Sequence, residues 1–241
     1  MLQLNNISFK YNNQKSEKVF VFDKLNLKIN KNEFTSIVGP SGCGKSTLIN
    51  LVAGYFPLLS GEILLNDQKV IKPGRDRIVI NQMDDLFDWL TVWENIRIVT
   101  KNNKIIEKYL KLLNLEKIKN RYAGELSGGM KKRLSLARAL SADGDFILMD
   151  EPFSSLDNNI KEKLHIELLS LIKKTDKTFI LVTHDVEEAL FLSNRIIVLN
   201  SDIPTTIEKD LDINFNRIRD LKLKEQKDFF LLKNKILRYY R

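Results

Sequence analysis

With 241 residues, 43% of them hydrophobic, the chain is long enough to bury a sizeable core as one large domain or two small ones, which argues against extended disorder. No run reaches the roughly 18 uninterrupted apolar residues of a membrane-spanning helix; the richest segment, Leu48 to Leu59, is broken by Asn50, Gly54 and Pro57. The net charge of +8 and pI near 9.4 bear on partners and not on fold, and nucleic acid, an anionic membrane surface or an ordinary basic surface all satisfy them.

The first residues, Met1-Leu2-Gln3-Leu4-Asn5, lack a basic leader and a long apolar run, so a cytoplasmic protein is expected. The single cysteine, Cys43, cannot form an internal disulfide. Its place in a glycine-rich loop makes it a small filler residue in a reducing compartment.

From residue 1 to 37 short apolar runs alternate with polar ones, as in Leu2-Gln3-Leu4, Val19 to Phe22 and Leu25-Asn26-Leu27-Lys28-Ile29, and this period of two predicts antiparallel strands. Thr35 to Val38, Ile78 to Ile80, Phe146 to Met149 and Thr178 to Val182 are instead short, apolar and bounded by turn or charged residues. They predict strands buried on both faces, hence a parallel sheet under helices.

After the first of these buried strands comes Gly39-Pro40-Ser41-Gly42-Cys43-Gly44-Lys45-Ser46-Thr47, followed by the helical run Leu48 to Val52. The pattern G-x-x-x-x-G-K-[ST] in this strand-to-helix context is a phosphate-binding loop. Its glycines let backbone N–H groups turn toward an anion, and the helix start adds a positive dipole end. Lys45 suits the β and γ phosphates of a nucleoside triphosphate, and the Ser46 hydroxyl suits the Mg²⁺ that bridges them.

The stretch from about Asp84 to Glu125 mixes Leu, Ile and Lys in helical patterns without a strand signal and is expected to form an inserted helical subdomain. Leu126-Ser127-Gly128-Gly129-Met130-Lys131-Lys132-Arg133 follows, leading into a helix whose apolar positions are Met130, Leu134, Ala137 and Leu140. Ser127 sits where an N-cap belongs, and the two glycines open the backbone to a ligand, so this is a second anion site. One phosphate does not need two such cradles in one chain, so the second is expected to serve the nucleotide of another copy.

Phe146 to Met149 ends in Asp150-Glu151, which puts two carboxylates at the edge of the sheet where the loop also emerges. Asp150 can hold Mg²⁺ through water and Glu151 can polarise an attacking water, although the pair taken alone could equally cap a helix. Ile160, Leu164, Leu168, Leu171 and Ile172 recur at helical spacing, and His165 in that helix is expected to be solvated. His184 follows the strand ending at Val182 and projects at the same edge, with Asp185 and Glu188 forming a capping box for the next helix. The tail holds an alternating stretch, Ile207 to Phe215. A basic segment follows in which Phe229, Leu232, Ile236 and Tyr240 share a helical face, expected to pack on the core, with an anionic membrane surface as the other possibility.

The loop at 39–47, L-S-G-G at 126–129 and the strand ending Asp150-Glu151, in that order, resemble the ATP-binding-cassette ATPases over about residues 1–200. The resemblance implies an α/β P-loop NTPase with a RecA-like parallel sheet core, an N-terminal antiparallel β subdomain and a helical subdomain at about 84–140, with 201–241 as a C-terminal strand and basic helix. It implies ATP and Mg²⁺ as ligands. Residues 39–47, Tyr11 and Ser127 to Gly129 would bind the nucleotide; Ser46, Gln82 and Asp150 would hold the metal; Glu151, His184, Gln82 and Lys45 would act in hydrolysis. Tyr11 is similar to the family's adenine-stacking aromatic, Gln82 to the glutamine that senses the γ phosphate, and Ser155-Leu156-Asp157 to the loop that crosses the dimer interface. Read in isolation, Tyr11 could be only a strand aromatic and Gln82 only a polar strand end.

Leu126 to Met130, Leu86-Phe87-Asp88-Trp89-Leu90-Thr91-Val92 and Thr183-His184-Asp185-Val186-Glu187-Glu188-Ala189 are most similar to the ATPases of nitrate, sulfonate and taurine importers. That implies a homodimer at the cytoplasmic face of the inner membrane, bound to permease subunits and indirectly to an extracytoplasmic solute-binding protein, with no nucleic acid expected. The sequence departs from the family pattern in Asn32, where glycine is usual, in Asp88, within the family's L-P-W, and in Met130, where glutamine is commonest. A cassette ATPase working on DNA or ribosomes is the rival reading, but those usually carry coiled-coil insertions or tandem cassettes, and neither is present.

Overall fold

In the computed structural model, which describes residues 1–11, 20–83, 85–215 and 219–239, the N-terminal alternation becomes the antiparallel pair β1 (Leu2–Phe9) and β2 (Phe22–Ile29), with Leu2 opposite Ile29 and Leu4 opposite Leu27. Leu2, Leu4, Leu25, Leu27 and Ile29 are all buried, because in a strand every second side chain faces the same way. Val19 lies outside the described residues, and β2 begins at Phe22. The chain then passes through β3 (Phe34–Val38) and α1 (Lys45–Ala53) to β4 (Ser60–Leu65) and β5 (Gln68–Lys69), which extend the antiparallel sheet to the order β2-β1-β4-β5.

The contacts divide the chain into two compact units, one of residues 1–74 with 178–241 and one of residues 75–177. The second contains β6 (Arg77–Ile80), α2 (Val92–Arg97), α3 (Asn103–Leu112), α4 (Gly128–Ser141), β7 (Phe146–Asp150) and α5 (Asn158–Ile172). Its two strands run parallel, with Ile78 opposite Ile147; Phe146 to Met149 of β7 are buried as expected, but Ile78 and Val79 of β6 are only half-buried, which corrects the expectation of burial on both faces there. The helical texture expected after Asp84, itself outside the described residues, becomes α2, α3 and two short 3₁₀ turns, Glu116–Ile118 and Ala123–Glu125. Leu134, Ala137 and Leu140 of α4 and Leu164, Leu168 and Leu171 of α5 are buried, so both apolar stripes face the core. His165 corrects its expectation. It is buried on that face, edge-on to Phe153 at 5.0 Å, because the stripe of α5 is wide enough to include the residue next to Leu164.

The first unit resumes with β8 (Thr178–Thr183), α6 (Val186–Leu192), β9 (Arg195–Leu199), β10 (Ile207–Asp212) and α7 (Lys227–Arg238). Here β3 lies between β8 and β9, parallel to both, and β10 closes antiparallel on β9. The strands β9 and β4 were not foreseen; neither Arg195–Leu199 nor Ser60–Leu65 carries a motif.

Of the face expected in the tail, Phe229 and Ile236 of α7 are buried, Leu232 is half-buried and Tyr240 lies outside the described residues. The helix packs on α6, where Lys233 pairs with Glu187. Just before it, the buried Arg219 donates to the carbonyls of Leu190 at 3.1 Å and Phe191 at 2.9 Å, which would otherwise be orphaned at the end of α6. Burial pushes its pKa down to about 10, so it stays charged at neutral pH. Removing the buried Ile236 side chain as Ile236→Ala is expected to cost about 2–5 kcal/mol of tail docking. Limited proteolysis in urea should then cut within 219–239 at lower denaturant while residues 1–200 persist.

Candidate functional site

In the first unit every residue of β3 is buried, and Gly39 is the first residue beyond it. The following α1 starts at Gly44, whose φ of 92° lies in the left-handed region and whose position would bring a Cβ within 2.7 Å of Val21 Cγ1, so only glycine fits. Gly44 has no side chain to cap the helix, so no N-cap side chain covers the start of α1, the helix end whose dipole favours an anion. Lys45 is only 6% exposed, and its ammonium is held by the carbonyls of Gly39 at 2.9 Å and Pro40 at 2.7 Å, which keeps its charge over the loop. Ser41, Gly42 and Ser46 are exposed. Cys43 is buried, burial pushes its thiol pKa up, and its carbonyl accepts from Thr205 Oγ1, which suits a filler and not a nucleophile.

Thr47 Oγ1 lies 2.7 Å from the Tyr11 hydroxyl. Tyr11, at the end of β1, is 46% exposed, with its ring edge-on to Phe9 and Phe56. The aromatic expected to meet adenine thus stands beside the phosphate loop. His184 reaches the same edge by register: Val38 lies opposite Thr183, so Gly39 and His184 are each one residue past the pair, and His184 is exposed. Asp185 caps α6 through the N–H groups of Glu187 and Glu188. The expected capping box is not formed, because the buried Glu188 carboxylate accepts from the Thr183 hydroxyl and the Asp185 N–H donates to that same hydroxyl.

In the second unit Ile80 lies opposite Met149, so Gln82 and Glu151 each come two residues past a paired position. Gln82 is exposed, Asp150 ends β7 half-buried, and Glu151 follows with φ 44°, a left-handed conformation that costs a non-glycine residue about 1–2 kcal/mol. Its carbonyl accepts from the Ser154 N–H and hydroxyl, which helps hold that turn. Backbone strain of this kind concentrates at functional positions. Ser127 is the N-cap residue of α4, as expected, with an extended backbone and no capping bond from its side chain. Gly129 is required by packing, since a Cβ there would meet Ile160 Cγ2 of α5 at 2.7 Å. Asp157 caps α5 by accepting from the Ile160 N–H.

Asn95 escaped the sequence reading, and Asn32, noted there as a departure from the family pattern, finds its physical reason here. Asn32, at φ 57°, takes up the left-handed turn for which glycine is usual, a conformation asparagine tolerates better than most residues. Asn95 is fully buried: its side chain donates to the carbonyls of Phe87, Leu90 and Thr91 and accepts from the Phe87 N–H, so it organises the chain leading into α2. A lone polar residue on the buried face of a short helix was the available signal.

A family model described as ABC transporter matches residues 22–154. The taurine import ATP-binding protein of Roseobacter denitrificans is 38% identical over 222 residues, spanning 89% of this chain and 82% of that protein. The aliphatic sulfonates import ATP-binding protein of Bacillus thuringiensis subsp. konkukian is 35% identical over 244 residues, spanning 99% of this chain and 95% of that one. Among solved structures, the dimeric post-hydrolysis state of the ATP-binding cassette MJ0796 bound to ADP and Pi matches with a TM-score of 0.74 at 29% identity, over 90% of this chain and 100% of that one. The P-loop NTPase fold expected from the motifs is the fold of such cassettes. In sequence and in structure alike, this chain belongs to the ABC transporter family, as one of its ATP-binding, ATP-hydrolysing cassettes.

Proposed function

We propose that the chain is the ATP-hydrolysing subunit of an ABC importer and powers uptake of a small solute, of the nitrate, sulfonate or taurine kind or a thiamine precursor, through a separate permease. The observation that carries this is a loop with Lys45 held over its own carbonyls at a glycine-capped helix start, in a chain alike over most of its length to import ATP-binding proteins. The likeness to a dimeric cassette supports a homodimer. No helix among the described residues is long and apolar enough to cross a membrane, which suits a peripheral subunit at the cytoplasmic face, with an extracytoplasmic solute-binding protein completing the system.

Residues 39–47 and Tyr11 of one copy bind ATP, and Ser127 to Gly129 of the other grip its γ phosphate. The exposed Ser46 hydroxyl, the Gln82 amide and the Asp150 carboxylate are oxygen donors of the kind a hard cation takes. These residues would hold Mg²⁺, which would supply positive charge against the β and γ phosphates. Glu151 orients water for in-line attack, and Lys45 and His184 stabilise charge on the transferred group. Cleavage then removes the bridge between the copies, and their separation resets the permease. Trp89, 71% exposed and edge-on to Phe87 at 5.4 Å, belongs to the aromatic surface offered to a cytoplasmic helix of that permease, together with Trp93.

Lys45→Ala should weaken ATP binding at least about tenfold by titration calorimetry. Glu151→Gln should keep ATP binding, lower turnover by about 10²-fold or more, and run as a dimer on size exclusion with ATP; a monomer there would break the two-copy reading. For the importer assignment, affinity purification of the tagged chain in mild detergent should yield a multi-helix membrane protein. Recovery of ribosomes or DNA in its place would overturn it. Trp89→Ala should lose transport while hydrolysis by the isolated chain stays within about twofold of the parent.

A further inference from the structure

Residues 81–89 carry Gln82 near one end and Trp89 at the other, and two consecutive lysines of α4 hold both ends. Lys131 donates to the Asp88 carboxylate at 2.9 Å. Lys132, only 1% exposed, turns its ammonium to the backbone carbonyls of Asn81 at 3.5 Å and Gln82 at 3.4 Å. Neighbouring residues on a helix point about 100° apart, which is how adjacent side chains reach opposite ends of one segment.

The two tethers differ in stiffness. The Lys131–Asp88 pair is open to water, with side-chain exposures of 25% and 59%, so it orients more than it stabilises. A buried ammonium, by contrast, cannot leave the oxygens that replace its water without a heavy desolvation cost. Lys132 therefore ties the backbone of Gln82 to the first turns of the helix that begins at Ser127. Asp88 stands where the family pattern has proline, a residue that stiffens its own backbone; here the restraint comes from Lys131.

We propose that Lys132 is a positioning residue, with Lys131 its weaker companion, making Gln82 and the turn Ser127 to Gly129 move as one body. The grip of one copy on its partner's nucleotide then sets the place of its own Gln82, and the two sites fire together. This rests on the ATPase reading above. It adds to that reading a reason why two lysines follow Met130.

The test uses the full chain and steady-state hydrolysis against ATP concentration, with Lys132→Met keeping the apolar stem and Lys132→Arg keeping the charge. The parent is expected to show a Hill coefficient approaching about two, the number of sites. Lys132→Met should bring it to about one and lower kcat about tenfold with KM changed less than about twofold, at an unchanged melting temperature. Amide exchange across 82–89 should speed up by about tenfold, and Lys132→Arg should restore all of these. If Lys132→Met does not fold, Lys132→Gln carries the same expectation. Parent-like cooperativity and kcat in the charge-free variant would overturn the proposal, as would equal losses in Lys132→Met and Lys132→Arg with a lowered melting temperature, the mark of a plain packing role. Turnover by the parent and its loss in Glu151→Gln test the ATPase reading separately.

Discussion

A helix that begins without a side-chain cap, beyond a strand buried on both faces, is the constraint on which the first unit depends. Strand β3 cannot shift without exposing five buried residues, so Gly39 emerges at a set height beside His184. Gly44 has no side chain to quench the helix start, and any other residue there would meet Val21. Lys45 is drawn over the loop because its buried ammonium needs the Gly39 and Pro40 carbonyls. Each restraint serves the next, and together they present donors and a positive charge where an anion can use them.

The second unit repeats the device with different chemistry. Helix α4 also begins without a capping bond, here from an extended Ser127 where α1 starts from a left-handed Gly44, but its glycines answer to packing as well as to access, since Gly129 lets the first turn lie flush on Ile160. The unit's other functional groups depend on how the chain leaves its strands: Gln82 and Glu151 are each two residues past the Ile80–Met149 pair, and Glu151 sits on a strained turn. Lys131 and Lys132 of α4 add side-chain contacts to the chain that follows β6, at Asp88 and at the carbonyls of Asn81 and Gln82.

Positive charge means less about partners than +8 suggests, because several basic groups work inside the fold. Arg219 closes the end of α6, Lys177 donates to the carbonyls of Ala142 and Gly144 after α4, and Arg195 forks onto Asp210 to hold β10. Burial lowers the pKa of Lys177 and Arg219, while the Asp210 carboxylate raises that of Arg195. An exposed and a buried lysine look the same in a composition count, and only their surroundings separate them.

The sequence by itself determined the antiparallel start, the buried strands β3, β7 and β8, the apolar stripes of α4 and α5, and the three motifs that identify the family. All of these are local: a period of two or 3.6, or glycines at set spacing, is written in neighbouring residues. Tertiary structure alone decided that His165 is buried, that Glu188 turns to Thr183 and not to the helix start, that Asn95 gathers three carbonyls, and that Asn32 replaces a glycine without loss of the turn. It also decided that Lys132 belongs to Gln82, fifty positions earlier. The reason is physical: burial and polar pairing depend on which distant atoms arrive beside a side chain, and that is set by packing, not by its neighbours in the chain.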